Sequence, residues 1–314
     1  MRRPANQRIK MQNKSDTAIV NFFPQYLTSC SARGFSQSTI NTYKTHLNCM
    51  ANYLDTSMPL SSLSKSDVET AIDFMREKGL AHNSIASYMR SFRAFISWCN
   101  EENYCNLTIP SFAQQETTKD TYSDEELKAL LKKPDSNCSF PEFRNWIIIL
   151  FLLNCGCRSA TIRNIKNKDI DLESKQVIFR HTKNKKIQVL PLSSTLVTNL
   201  KKYIGIRQGE PDDYLFCTET GEQFSKDGLS TAIERYNKSR GVNKTSIHMF
   251  RHTFAKKYLI DCGGNALTLQ KLLGHSTLEM TKHYCNIFDA DIAKGYDSVS
   301  PLERMVSKAE KIKK

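Results

Sequence analysis

The chain has 314 residues, enough for about two domains and too many for a single small binding module. Lys and Arg total 45 against 32 acids, a net charge of +13, and such a surplus favours a polyanionic partner through phosphate neutralisation: nucleic acid or an anionic membrane surface. The longest apolar run, Trp146 to Leu153, falls well short of the ~20 residues that span a bilayer. Met1 to Ser15 has no apolar signal core, so the chain reads as soluble and cytoplasmic, nucleoid-associated if prokaryotic.

Residues 1–15 carry five cations and no acid, which suits either a flexible arm on phosphates or a solvated tail. Over 16–106 the apolar spacing is helical: Ile40, Tyr43, Leu47, Met50 and Leu54 recur at threes and fours, as do Val68, Ala71, Ile72 and Met75. Pro24 predicts that the first helix is kinked or starts late. Ser36 and Ser66 are read as N-caps, the latter boxed with Glu69, and Gly79 as a terminator. A longer helix over Ala81–Glu101 completes a four-helix domain.

Residues 107–122 lose the periodicity and read as a linker. A second domain, 123–300, opens on Ser123 and Glu126 at capping-box spacing and contains a strongly apolar helix around Trp146–Asn154. Gln176–Thr182 and Ile187–Leu192 alternate about the basic turn Lys183-Asn184-Lys185-Lys186 and predict a β-hairpin, so the fold class is mainly α with a small β-sheet. Residues 301–314 carry Leu302, Met305, Val306, Ala309 and Ile312 at helical spacing and read as an amphipathic helix, packed on its own domain unless a partner takes it. Ten cysteines without a CxxC pair read as reduced thiols, with no metal site.

The chemistry sits in polar residues set into apolar helical context: Arg158 after NCGC, His248 and Arg251 in IHMFRHTF, His275 in LLGHST, and Tyr284 in KHYCNI. Singly, each has an ordinary reading as a salt bridge, a structural histidine or a core tyrosine. Together they form an electropositive set. His248 and Arg251, three apart, leave one helix face, and His275 after Gly274 is expected near a helix start, where backbone N–H groups attract an anion. The natural occupant is an oxyanion such as phosphate.

These stretches resemble the tyrosine recombinase, or phage integrase, family. Arg158, Lys183, His248, Arg251, His275 and Tyr284 match its six catalytic positions in order, and GFSQSTINTYKTHL resembles the start of its core-binding module. Two departures stand out: Thr161 replaces a frequently acidic residue three after the first Arg, and Met280-Thr281 replaces the usual Thr pair. The resemblance implies an N-terminal helical core-binding domain, a mixed α/β catalytic domain, and a site-specific recombinase that joins Tyr284 to a 3′ phosphate. It also implies that Lys183 is the general acid, with Lys185 and Lys186 as rivals for that role, and that no cofactor is required.

The resemblance implies as partners double-stranded recombination sites, bound by a homotetramer in which the 301–314 helix is exchanged between protomers, and no membrane. Asn41, Lys44, Ser87, Arg90, Arg93, Lys185 and Lys186 are possible DNA contacts or solvated positions. The rival readings are a type IB topoisomerase and a regulator that binds DNA without cutting. Target sequence, biological role and accessory proteins are not legible.

Overall fold

A computed structural model describes residues 17–115, 120–180, 186–281 and 300. The chain divides into two compact units, Met1–Thr117 and Thr118–Lys314.

In the first unit a 3₁₀ turn, Ile19–Phe22, leads into α1 (Phe23–Ala32), so Pro24 falls in the first turn, where its missing N–H costs nothing. Ser36 caps α2 (Gln37–Met50) by accepting from the Thr39 N–H. The cap of α3 (Lys65–Glu77) is Ser64, boxed with Asp67, and not Ser66, which lies inside the helix. The reason is visible in the flanks: with Ser64 as cap, Leu63 and Val68 take the two staple positions, and both are buried in one core cluster. Gly79, at φ +76°, turns the chain into α4 (His82–Glu101). Residues 107–115 have no regular structure, yet Asn100 holds Leu107 by both backbone groups, Asn83 holds Gln115, and Ile109 joins the core.

The second unit is built on α6 (Phe140–Cys155), preceded by α5 (Asp124–Leu131) with its Ser123–Glu126 capping box. From Trp146 to Leu152 almost every α6 side chain is buried, as expected of a helix that is apolar all round and runs through a core. α7 (Ser159–Asn164) follows after Gly156. Three short antiparallel strands come next: β1 (Ile170–Asp171), β2 (Gln176–Phe179) and β3 (Gln188–Pro191), in that order. The predicted hairpin is thus joined by a third strand. Of its basic turn, Lys183, Asn184 and Lys185 lie outside the described residues, as do residues 181 and 182, and Lys186 is described.

The remaining elements are α8 (Ser194–Arg207), α9 (Lys226–Ser239), α10 (Ile247–Ile260) and α11 (Ala266–Leu273). Tyr122 fastens the start of this unit to α10: its N–H donates to Thr253 Oγ1 at 2.9 Å and its ring stacks on Phe250. Among the described residues no helix is long and apolar enough to cross a membrane, and every described cysteine is a free thiol. The arm over 1–15 and the tail over 301–314 lie outside the described residues.

Candidate active site

Four pieces of the second unit converge on a cleft of about 290 Å³: the turn after α6, the start of β3, α10, and the segment after α11. Its walls include Arg158, Lys186, Arg251, Lys271 and His275, and no carboxylate among the described lining residues. Four cations in one concavity, with no carboxylate among its described lining residues, favour an anion, because the walls focus the field.

Gly156 makes the first wall. α6 ends there in the left-handed region, φ +56°, and a Cβ would come within 2.4 Å of Phe254 Cδ1 and 2.9 Å of Leu273 Cδ2. Only glycine lets this turn approach α10 and α11 so closely. The chain then reaches Arg158, the N-cap of α7, whose side chain is half-buried on the cleft wall. Among the described residues no hydrogen bond or ion pair holds the Arg158 guanidinium, so it is placed by its backbone. Thr161, at the frequently acidic position, is buried beside it and also lines the cleft.

Arg251 is the hub. Only 5% exposed, it donates from Nη1 to the Gly156 carbonyl at 2.8 Å and from Nη2 to the Leu273 carbonyl at 2.9 Å, tying the turn before Arg158 to the end of α11. Nη2 also lies 2.8 Å from His275 Nε2. A guanidinium can only donate, so Nε2 accepts and the ring proton resides on Nδ1, which donates to Thr281 Oγ1 at 2.9 Å. Thr281 is fully buried and fixes that orientation.

His275 does not sit at a helix start. Gly274, φ +63°, is the C-cap of α11, and the His275 N–H is spent on the Gln270 carbonyl at 3.0 Å. Glycine here ends one helix and does not open the next, so His275 precedes by four residues the helical stretch that resumes at Glu279. His248 lies in the first turn of α10, exposed, while Arg251 three residues on is buried; His248 is not part of the cleft wall. Lys183, Lys185 and Tyr284 lie outside the described residues.

Burial pushes the Cys155 thiol up to about 12 and Cys157 well above the ordinary range, so the thiols beside Arg158 are held neutral and take no charge from the site. Among the cleft residues that escape sequence reading are Gln188 and Lys271. Both look like ordinary outward polar positions in a strand and a last helical turn.

In the first unit Asn41, Lys44, Arg90 and Arg93 are exposed. Ser87 is half-buried and donates its hydroxyl to the Asn83 carbonyl. Arg90 and Arg93 border a second concavity of about 420 Å³ with Ser97, Asn100 and Thr108.

Comparison with known proteins places this architecture. The phage integrase family matches residues 121–291, and the phage integrase SAM-like domain matches residues 18–113. The tyrosine recombinase XerD of Listeria innocua is 24% identical over 287 residues, covering 86% of this chain and 94% of its own. The tyrosine recombinase XerA of Thermococcus onnurineus is 25% identical over 297 residues, covering 93% and 99%. The Tn1549 transposon integrase, solved in complex with transposon right end DNA, has the same fold, with a TM-score of 0.74 at 19% identity over 90% of this chain and all of that one. The chain belongs to the phage integrase family. It is accordingly a site-specific recombinase, an enzyme that breaks and rejoins DNA strands.

Proposed function

We propose that the cleft between Arg158, Arg251 and His275 holds the scissile phosphodiester and that Tyr284 attacks it. The observation that carries this reading is a concavity with four cations and no described carboxylate, in the domain that matches the integrase family. A phosphodiester resists attack because it and the nucleophile both carry or develop negative charge. Arg158 and Arg251 neutralise the nonbridging oxygens with fixed donor forks.

The Tyr284 oxygen bonds to phosphorus as the bond to the 5′ oxygen breaks. The phenolic proton passes to His248, and Lys183 protonates the departing 5′ oxygen, with Lys185 and Lys186 as neighbouring cations of the same turn. The products are a 3′-phosphotyrosine and a 5′-hydroxyl, and rejoining is the same step reversed with the hydroxyl of another strand. No cofactor enters the balance.

His275 donates to the phosphate once Nε2 carries a proton, as the imidazolium or as the neutral tautomer in which the Thr281 hydroxyl donates to Nδ1; in the DNA-free geometry Nε2 accepts from Arg251. An incoming phosphate attracts the Arg251 fork and favours the imidazolium, so binding and protonation of His275 proceed together.

The partner in this reading is duplex DNA carrying a recombination site. Residues 16–106 act as the core-binding domain and 123–300 as the catalytic domain, joined by 107–122. The basic arm 1–15 lies on phosphates, and the helix 301–314 is exchanged between protomers of a tetramer. Asn41, Lys44, Ser87, Arg90, Arg93, Lys185 and Lys186 supply contacts to the duplex.

Strand transfer tests the reading. Two differently labelled duplexes carrying a sequence enriched from a randomised pool by binding to this protein are expected to yield hybrid strands without ATP or added metal. Relaxation of a supercoiled plasmid with no exchange between duplexes would instead indicate a topoisomerase.

A further inference from the structure

β3 breaks its own pattern. Ile187, just before β3, and Val189 within it are 66% and 51% exposed, while Gln188, half-buried, shares the inward face with Leu190 and stands opposite Phe179, these two being buried. A strand that turns an amide inward and two aliphatic side chains outward gives up burial, and such local inconsistencies concentrate at functional sites.

The amide has two partners. Gln188 Nε2 donates to the Lys271 carbonyl at 2.6 Å, which also accepts from the Gly274 N–H, and to the Leu272 carbonyl at 2.9 Å, one of the last-turn carbonyls of α11. The next carbonyl, Leu273, is the one Arg251 holds, and two residues further the chain reaches His275. A Cβ at Gly274 would come within 2.8 Å of Gln188 Oε1, so the amide is seated against this corner from both ends.

Gln188 also stands at the root of the basic turn. On the opposite strand, just past Phe179, Arg180 donates through Nε to Asp169 Oδ1 at 2.8 Å, and Asp169 is only 3% exposed. One root of the turn is thereby anchored to the turn before β1, and the other to the corner that holds Arg251 and His275.

We propose that Gln188 is a positioning residue for strand cleavage: its side-chain amide locks the start of β3 to the end of α11 and so holds the Lys186–Gln188 stretch of the cleft wall against the Arg251–His275 corner. The inference rests on the proposed function, because it assigns a reaction for these groups to perform. Displacements of about an ångström in a reacting site cost on the order of 10²-fold in rate.

The test is single-turnover cleavage by the full chain of a nicked duplex carrying the pool-enriched sequence, with DNA affinity measured separately by anisotropy. Gln188→Met keeps the shape and removes both donors; it is expected to lower the cleavage rate on the order of 10²-fold while leaving the DNA Kd within about twofold. Gln188→Lys restores a donor, and a cation suits a helix C-terminus, so it is expected to recover most of the rate. A purely structural role would not give this split, since a loosened fold lowers affinity and rate together. Equal cleavage by wild type and Gln188→Met overturns the positioning role alone, as does a Gln188→Lys rate no better than that of Gln188→Met. No covalent product from wild type overturns the recombinase reading itself, and with it the role.

Discussion

Replacing Arg251 by Met separates its structural work from its chemistry. The side chain is almost fully buried, and its described partners include the carbonyls of Gly156 and Leu273 and the His275 ring. Hydrogen bonds from a charged donor contribute about 1.5–3 kcal/mol each, and desolvation of the buried cation takes part of that back. The net expected loss is about 3–5 kcal/mol, because methionine leaves three buried acceptors without a donor. The two tryptophans, Trp98 in the first unit and Trp146 in the second, let the units be followed separately. In a Trp98→Phe background, urea unfolding read by Trp146 fluorescence should shift its midpoint down by about 2 M, at a slope of roughly 2 kcal/mol per M. An unchanged midpoint would show that Arg251 is not the tie between the Gly156 turn and α11, and the positions assigned to Arg158 and His275 would lose their physical basis.

Gly156→Ala is expected to destabilise the second unit by about 2–4 kcal/mol, from left-handed strain plus displacement of Phe254; a thermal melt no lower than wild type would contradict this. Thr281→Val leaves the His275 Nδ1–H without its acceptor, a cost of about 1–3 kcal/mol, and should slow single-turnover cleavage by about tenfold or more without loss of DNA affinity. In the first unit, the neighbouring Cys99 thiol holds the Cys105 thiol below the ordinary range, while the same pairing raises Cys99. Because the thiolate is the reactive form, the iodoacetamide reaction of Cys105 should rise with pH earlier than that of an unstructured cysteine, and Cys99→Ala should return it to the usual range. Identical pH profiles before and after that substitution would remove the pairing as the cause.

Much of this arrangement is legible because it is encoded by neighbours in sequence. The Ser123–Glu126 capping box, the buried apolar run of α6 and the alternation of β2 each need only a few adjacent residues to declare themselves. The misplaced cap of α3 shows the limit of local rules. Ser64 and Ser66 both precede an acid by three, and only Leu63 and Val68 meeting in the core decide between them. For His275 the glycine was correctly seen as a break, but whether it closes one helix or opens the next depends on the chain lying over it. Gln188 is the deeper case. Its neighbours Ile187 and Val189 suggest the opposite face, so its inward position follows from pairing with Phe179 across the sheet, and its partners on α11 are about 80 residues away in sequence. The catalytic set itself was recognised through its order along the chain. Its convergence on one cleft is a property of tertiary structure, observed for Arg158, Arg251 and His275.

The most direct test of the central claim is covalent capture on a nicked suicide duplex carrying the pool-enriched sequence, comparing wild type with Tyr284→Phe. A denaturant-resistant adduct with wild type, mapped by peptide mass to Tyr284 and absent from the variant, is the expected result. A wild type that binds this DNA tightly and gives no adduct, or a variant that forms one as fast, would contradict the assignment of Tyr284 as the nucleophile.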